Sequence, residues 1–178
     1  ILQTYKSTIA PRNPTPPSIT FDRDYRVTVG GVPFAAYHWG PAHTNADIAI
    51  VLPQSKIVVT GDLIVTDGEP DVDMLDGHGS LIGMQQRLND LLKLDFELAI
   101  PGHGENAITR PEVILYKSRI DALIARGKAA VRQGVGPEGL LEAMRSDDLG
   151  FRLVGHFWTD PARLAPIYEE LRGASGRP

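Results

Sequence analysis

Three short segments constrain this chain more than the rest: Gly40-Pro41-Ala42-His43-Thr44, Thr60-Gly61-Asp62-Leu63 and Ile100-Pro101-Gly102-His103-Gly104. Each places a metal-competent side chain in a tight turn of small residues. Each turn ends a run that reads as a buried strand. Apolar, β-branched runs that stop at such turns predict strands of one sheet, with the side chains that matter gathered over one rim. Two imidazoles and one carboxylate suit a borderline cation such as zinc.

The surrounding pattern extends that sheet. Tyr25 to Val29 and Val32 to His38 alternate around Gly30-Gly31 and predict a hairpin. Asp47 to Leu52 and Lys56 to Thr60 flank Pro53-Gln54-Ser55 and predict a second hairpin, apolar enough for burial on both faces. Residues 61–79, with Gly61, Gly68, Pro70, Gly77, Gly79 and scattered aspartates, predict irregular chain. Ser80 is placed to cap a helix from Leu81 to about Lys93, and Glu97 to Ile100 predict a short strand ending at Pro101. Thr109-Arg110-Pro111-Glu112 has the form of a capping box. Its helix is expected to reach about Gln133, with Val113, Lys117, Ile120, Ile124 and Val131 as the buried stripe. Helices from Pro137 to about Arg145 and from Thr159-Asp160-Pro161 to Leu171 complete the reading, the last as part of a late strand–helix unit. The fold class is therefore α/β (α+β), with a Pro-rich connector over 1–20 and one domain over 21–178.

Composition narrows the partners. The net charge is -4 with no basic stripe, which argues against nucleic acid. Cysteine is absent, so disulfides and thiolate ligands are excluded and any metal must be held by His, Asp or Glu. No apolar run approaches the ~20 residues that span a bilayer, and no membrane partner is expected. A soluble protein, cytoplasmic or periplasmic, fits this composition. The chain opens on Ile1 and a proline-rich segment, and an upstream part is expected.

Each candidate residue also has a structural explanation. A lone His43 after a strand is commonly structural, Asp62 could form a turn or cap a helix, and His103 could sit in a simple loop. An ionised Asp62 behind an apolar strand nevertheless costs several kcal/mol unless paired or metal-bound. Thr44 and Asp47 are placed to orient the His43 turn from behind the ligands. His38 reads as structural or as a support of the site. Asp71, Asp73, Asp76 and His78 have calcium-loop spacing in part, without the rest of that motif. They read as a substrate-facing loop, with His78 as a contact. His156, Phe157 and Trp158 read as tail packing at a cleft rim, and the basic residues from Lys117 to Arg132 as a solvated face.

Taken together, His43 in Gly-Pro-Ala-His-Thr, Asp62 in Thr-Gly-Asp-Leu and His103 in Pro-Gly-His-Gly resemble the later metal motifs of the metallo-β-lactamase superfamily. The resemblance covers roughly residues 25–172. The tail around Asp148-Leu149-Gly150-Phe151 and Phe157-Trp158 resembles a cyclase-like environmental branch. The resemblance implies a four-layer αββα sandwich of two similar halves with the site in the cleft between them. It implies that His43 binds a first metal, Asp62 bridges two and acts as the catalytic carboxylate, and His103 binds the second. Two zinc ions are expected, with iron or manganese as alternatives. Their bridging hydroxide would attack the carbonyl of a small-molecule ester, lactone, amide or thioester, with a β-lactam less favoured. The family's His-x-His-x-Asp-His motif does not occur in this sequence. The chain therefore reads as the C-terminal portion of such a hydrolase, its partner half residing in the same protein or in a separate chain. Alone it is expected to be inactive. An iron-dependent sulfur dioxygenase of the same fold and a non-catalytic interaction module are the competing readings.

Overall fold

A computed structural model describes residues 16–145 and 147–174; residues 1–15 of the expected connector lie outside the described residues. Six strands form one sheet in sequential order: β1 (Asp24–Val29), β2 (Val32–Tyr37), β3 (Ala49–Leu52), β4 (Ile57–Val65), β5 (Leu98–His103) and β6 (Ile108–Thr109). Both predicted hairpins form, and β4 and β5 pair in parallel across the helix α1 (Leu81–Leu91). The long helix α2 (Arg110–Arg132), then α3 (Pro137–Met144), α4 (His156–Thr159) and α5 (Pro161–Ala174) follow. In this mixed α/β fold the helices cover one face of the sheet.

The register explains that one-sidedness. Ala35, Val51, Val58 and Ala99 lie opposite one another across four strands, and all are buried beneath the helices. The alternate rows, Ile50–Val59–Ile100 and Leu52–Ile57–Leu98, face the other way, and Leu98 and Ile100 are 39% and 41% exposed. The expectation of strands buried on both faces is therefore corrected. These runs are apolar throughout, but among the described residues a layer covers only every second residue.

Three other expectations change. Strand β4 does not stop at Thr60 but runs through Gly61 and Asp62 to Val65, and β5 runs through Pro101 to His103. Their mutual pairing, Gly61 with Pro101 and Val65 with His103, extends both strands past the glycines. The buried stripe of α2 is Val113, Tyr116, Ile120, Leu123, Ile124, Gly127 and Ala130. Lys117 and Val131 sit at its margin, because Tyr116 and Leu123 bring the helix's larger apolar surface to the core. Among the described residues no late strand precedes α5; a 3-10 turn (Asp147–Leu149) and α4 occupy that stretch.

The predicted caps form. Gly83 N–H donates to the Ser80 hydroxyl at 2.6 Å. The Glu170 carboxylate, from α5, accepts from the first α1 amides of Leu81 and Ile82 at 3.0 and 3.2 Å, where a negative charge complements the helix N-terminus. At the head of α2, the Thr109 N–H and hydroxyl both donate to Glu112 at 2.7 Å.

The segment between β4 and α1 is irregular but tied down from the C-terminal tail. Fully buried Trp158 donates its indole N–H to the Pro70 carbonyl at 2.8 Å, and Gly155 N–H donates to the Glu69 carboxylate. The Arg163 guanidinium donates to Asp73 at 2.7 Å and to Asp76 at 3.0 Å. Burial alone would push the Asp73 carboxyl up, but the backbone N–H groups of Asp76 and Gly77 and the Arg163 guanidinium outweigh it and hold Asp73 below its ordinary 3.8.

A depressed carboxyl contributes stability that is present above its unfolded value and lost as pH falls through its folded one. Replacing Asp73 by Asn should therefore lower unfolding free energy at neutral pH by on the order of 1–2 kcal/mol. The gap to the native chain should close below pH 3.8, as followed by urea titration at both pH values.

Candidate metal centre

The rim of the sheet is where β4 and β5 carry their small residues. Register breaks fall on either side of Gly61, whose backbone is left-handed at φ 53°. A bulge of this kind re-aims the next side chain without ending the strand. That side chain is Asp62. Across the parallel pair, Gly102 leaves room for it: a Cβ on Gly102 would lie 1.9 Å from Asp62 Oδ1. His103 follows directly. Its carbonyl accepts from the Thr66 N–H at 3.0 Å and the Thr66 hydroxyl at 3.1 Å, which pins the end of β5 to the end of β4.

The three side chains singled out by the sequence meet at this point. Asp62 Oδ2 lies 3.4 Å from His43 Nε2, and Asp62 Oδ1 lies 3.6 Å from His103 Nε2. The carboxylate thus turns one oxygen to each imidazole. These separations are too long for good hydrogen bonds. They fit ligands sharing an ion, since two donors about 2.0–2.1 Å from a tetrahedral zinc stand roughly 3.3 Å apart. Each side receives one imidazole and one carboxylate oxygen. Among the described residues no group of three or more His, Asp or Glu side chains is able to hold an ion by itself. The donor types and spacing therefore suit a share of two sites, with further ligands required at each.

His43 is held from several sides. Its Nδ1 lies 3.0 Å from the Asp71 carbonyl oxygen, an acceptor for an Nδ1–H, which leaves Nε2 turned toward Asp62. Phe157 packs edge-on against the His43 ring at 5.9 Å, and Arg163 lies over Phe157 at 5.2 Å. The turn itself is stitched by Asp47, which accepts from the Thr44 N–H at 3.1 Å and from its hydroxyl at 2.8 Å. His38 lies 2.8 Å from the Asp47 carbonyl through Nδ1, behind that turn.

The acidic loop divides. Asp71 lies beside the cluster: burial pushes its carboxyl up, the positive potential of His43 and His103 opposes this, and Asp62 and Glu69 add to the rise. Asp73 and Asp76 turn instead to Arg163. His78 is exposed with a left-handed backbone, φ 52°, and forms no hydrogen bond or ion pair among the described residues. The supports that sequence reasoning missed are the Asp71 main chain and Arg163. The aromatic pair Phe157-Trp158, placed at a cleft rim in the sequence reading, was the signal that the tail returns to this point.

Comparison with known proteins bears on the family and the fold. The family model described as the Metallo-beta-lactamase superfamily matches residues 2–103. No curated protein matches the chain. Among solved structures, a metallo-beta-lactamase from Pontibacter korlensis superposes with a TM-score of 0.54 at 19% identity, over 67% of this chain and 54% of that one. A stereoselective inverting sec-alkylsulfatase from Pseudomonas sp. superposes with a TM-score of 0.61 at 16% identity, over 84% of this chain and 26% of that one. A double mutant of the sec-alkyl sulfatase PisA1 gives 0.64 at 16% identity, over 92% of this chain and 28% of that one. These identities speak to the fold alone. The chain spans about half, or about a quarter, of the length of these proteins.

Gly102→Ala should test the close approach without removing a polar group. The added methyl collides with the Asp62 carboxylate and with the Gly61 backbone. The variant should be destabilised by about 1–3 kcal/mol in urea titration. Its His43 and His103 ring resonances should both shift in NMR spectra, because the carboxylate between them is displaced.

Proposed function

The chain belongs to the metallo-beta-lactamase superfamily, and from that premise we propose that it is the C-terminal share of a metal-dependent hydrolase of esters, lactones, amides or thioesters. The observation that carries this reading is Asp62, set between two imidazoles with one oxygen toward each. His43 would serve one ion, His103 the other, and Asp62 both. Bound there, a zinc pair supplies an activated water at neutral pH and stabilises negative charge developing on the substrate. The chain's own residues do the positioning. The Asp71 carbonyl keeps His43 in the tautomer whose Nε2 can ligate. The Thr44–Asp47 turn fixes where that imidazole leaves the backbone. Phe157 closes one side of the ring to water.

The remaining ligands would come from a half bearing the His-x-His-x-Asp-His motif. That half would pack on the sheet face away from the helices. Rows of apolar side chains on the face away from the helices, including Ile100 and Leu98, are only partly covered by this chain. Covering such a face recovers roughly 25 cal/mol for each Å² of apolar surface removed from water. Packing a second layer there would bring further ligands over the same rim.

With both halves present, Asp62→Ala should leave the fold intact, lower bound metal measured by elemental analysis, and reduce ester turnover by at least about a hundredfold. Full metal occupancy with retained turnover would refute the bridging role. The 178-residue chain by itself should bind zinc only weakly in calorimetry, and tight stoichiometric binding would overturn the split-site reading.

A further inference from the structure

Beside the His103 end of the sheet lies a cavity of about 260 Å³. Val65, Thr66, Leu115, Tyr116, Arg119 and Phe151 contribute to its wall. Its position is tied to the metal centre, since Val65 pairs with His103 and Thr66 bonds the His103 carbonyl. Two polar side chains of the wall, Arg119 and Tyr116, complete no hydrogen bond among the described residues. Arg119 projects from α2 along Gly150 and forms no hydrogen bond or ion pair among the described residues. The Tyr116 residue is only 5% exposed, and its hydroxyl approaches the Val65 backbone without completing a hydrogen bond. The one acid in the wall, Glu112, is engaged by the Thr109 N–H and hydroxyl.

Arg119 is half-buried and makes no ion pair among the described residues, so its N–H groups are open to an anion entering the cavity, whereas the Tyr116 hydroxyl is enclosed by the fold. A planar guanidinium matches an oxyanion through two parallel N–H bonds. The other walls are largely aliphatic or aromatic. We propose that this cavity binds an oxyanion carried on an apolar stem, a carboxylate or a sulfate monoester, with Arg119 as the charged partner. Taken with the hydrolase reading, on which this part rests, the anion is a substituent of the substrate that orients its reacting carbonyl toward Asp62.

The test titrates the full chain with hexanoate, hexyl sulfate and the neutral hexanamide, following the Arg119 side-chain resonance by NMR. At least one anion should bind about tenfold or more tighter than hexanamide, and the tighter of the two identifies the oxyanion. Arg119→Gln should erase that preference with an unchanged melting curve, because the guanidinium holds no partner among the described residues. Equal binding of anion and amide, or a preference that survives Arg119→Gln, overturns the proposal. A second arm compares turnover of an ester bearing a terminal carboxylate with its neutral methyl ester, in protein carrying both halves. No turnover of either, with the anion preference intact, removes the hydrolase reading and leaves the subsite. Turnover of both without discrimination removes the subsite and leaves the hydrolase.

Discussion

The parallel pairing of β4 with β5 is the constraint on which the remaining structure depends. It sets Gly61 beside Pro101 and Val65 beside His103, so that a carboxylate and an imidazole far apart in the chain share one rim. Parallel strands need a crossover, and α1 with its preceding segment supplies it. The bulge at Gly61 then turns Asp62 out of the regular alternation, and Gly102, lacking a side chain, receives it. Every element of the candidate centre hangs on that local irregularity in an otherwise regular sheet.

The C-terminal tail acts on the same point from the other side. Arg163, Trp158 and the Gly155 amide bind the segment between β4 and α1, and that segment supplies the carbonyl that orients His43. The helices are therefore more than a cover for the core. Their ends hold a stretch of chain that has no ladder hydrogen bonds of its own and would otherwise lose its backbone partners to water. This explains why the site's supports come from residues far apart in sequence, from His38 to Arg163.

The sheet is apolar on both faces but layered on one. The candidate centre shows the same incompleteness in its chemistry, with two donors on each side of Asp62 where a catalytic zinc site ordinarily has three from protein. One partner layer would answer both shortfalls, because the exposed rows and the ligand rim belong to the same strands.

Much of this was legible in the residues. Alternating runs around Gly30-Gly31 and Pro53-Gln54-Ser55 determine two hairpins, since period-two patterning and turn chemistry act locally. Ser80 and the Thr109–Glu112 box determine where two helices start, for the same reason. The three small-residue turns carry the family and its candidate ligands. Tertiary structure alone decided how far β4 and β5 extend, because their last pairs exist only when the two strands lie side by side. It decided that Asp71 serves through its carbonyl and that Asp73 and Asp76 face Arg163, because a loop's side chains point wherever the tail meets them. It also decided that Tyr116 and Arg119 border a cavity beside the rim. Helical periodicity shows which residues share a face, and only packing shows what that face meets.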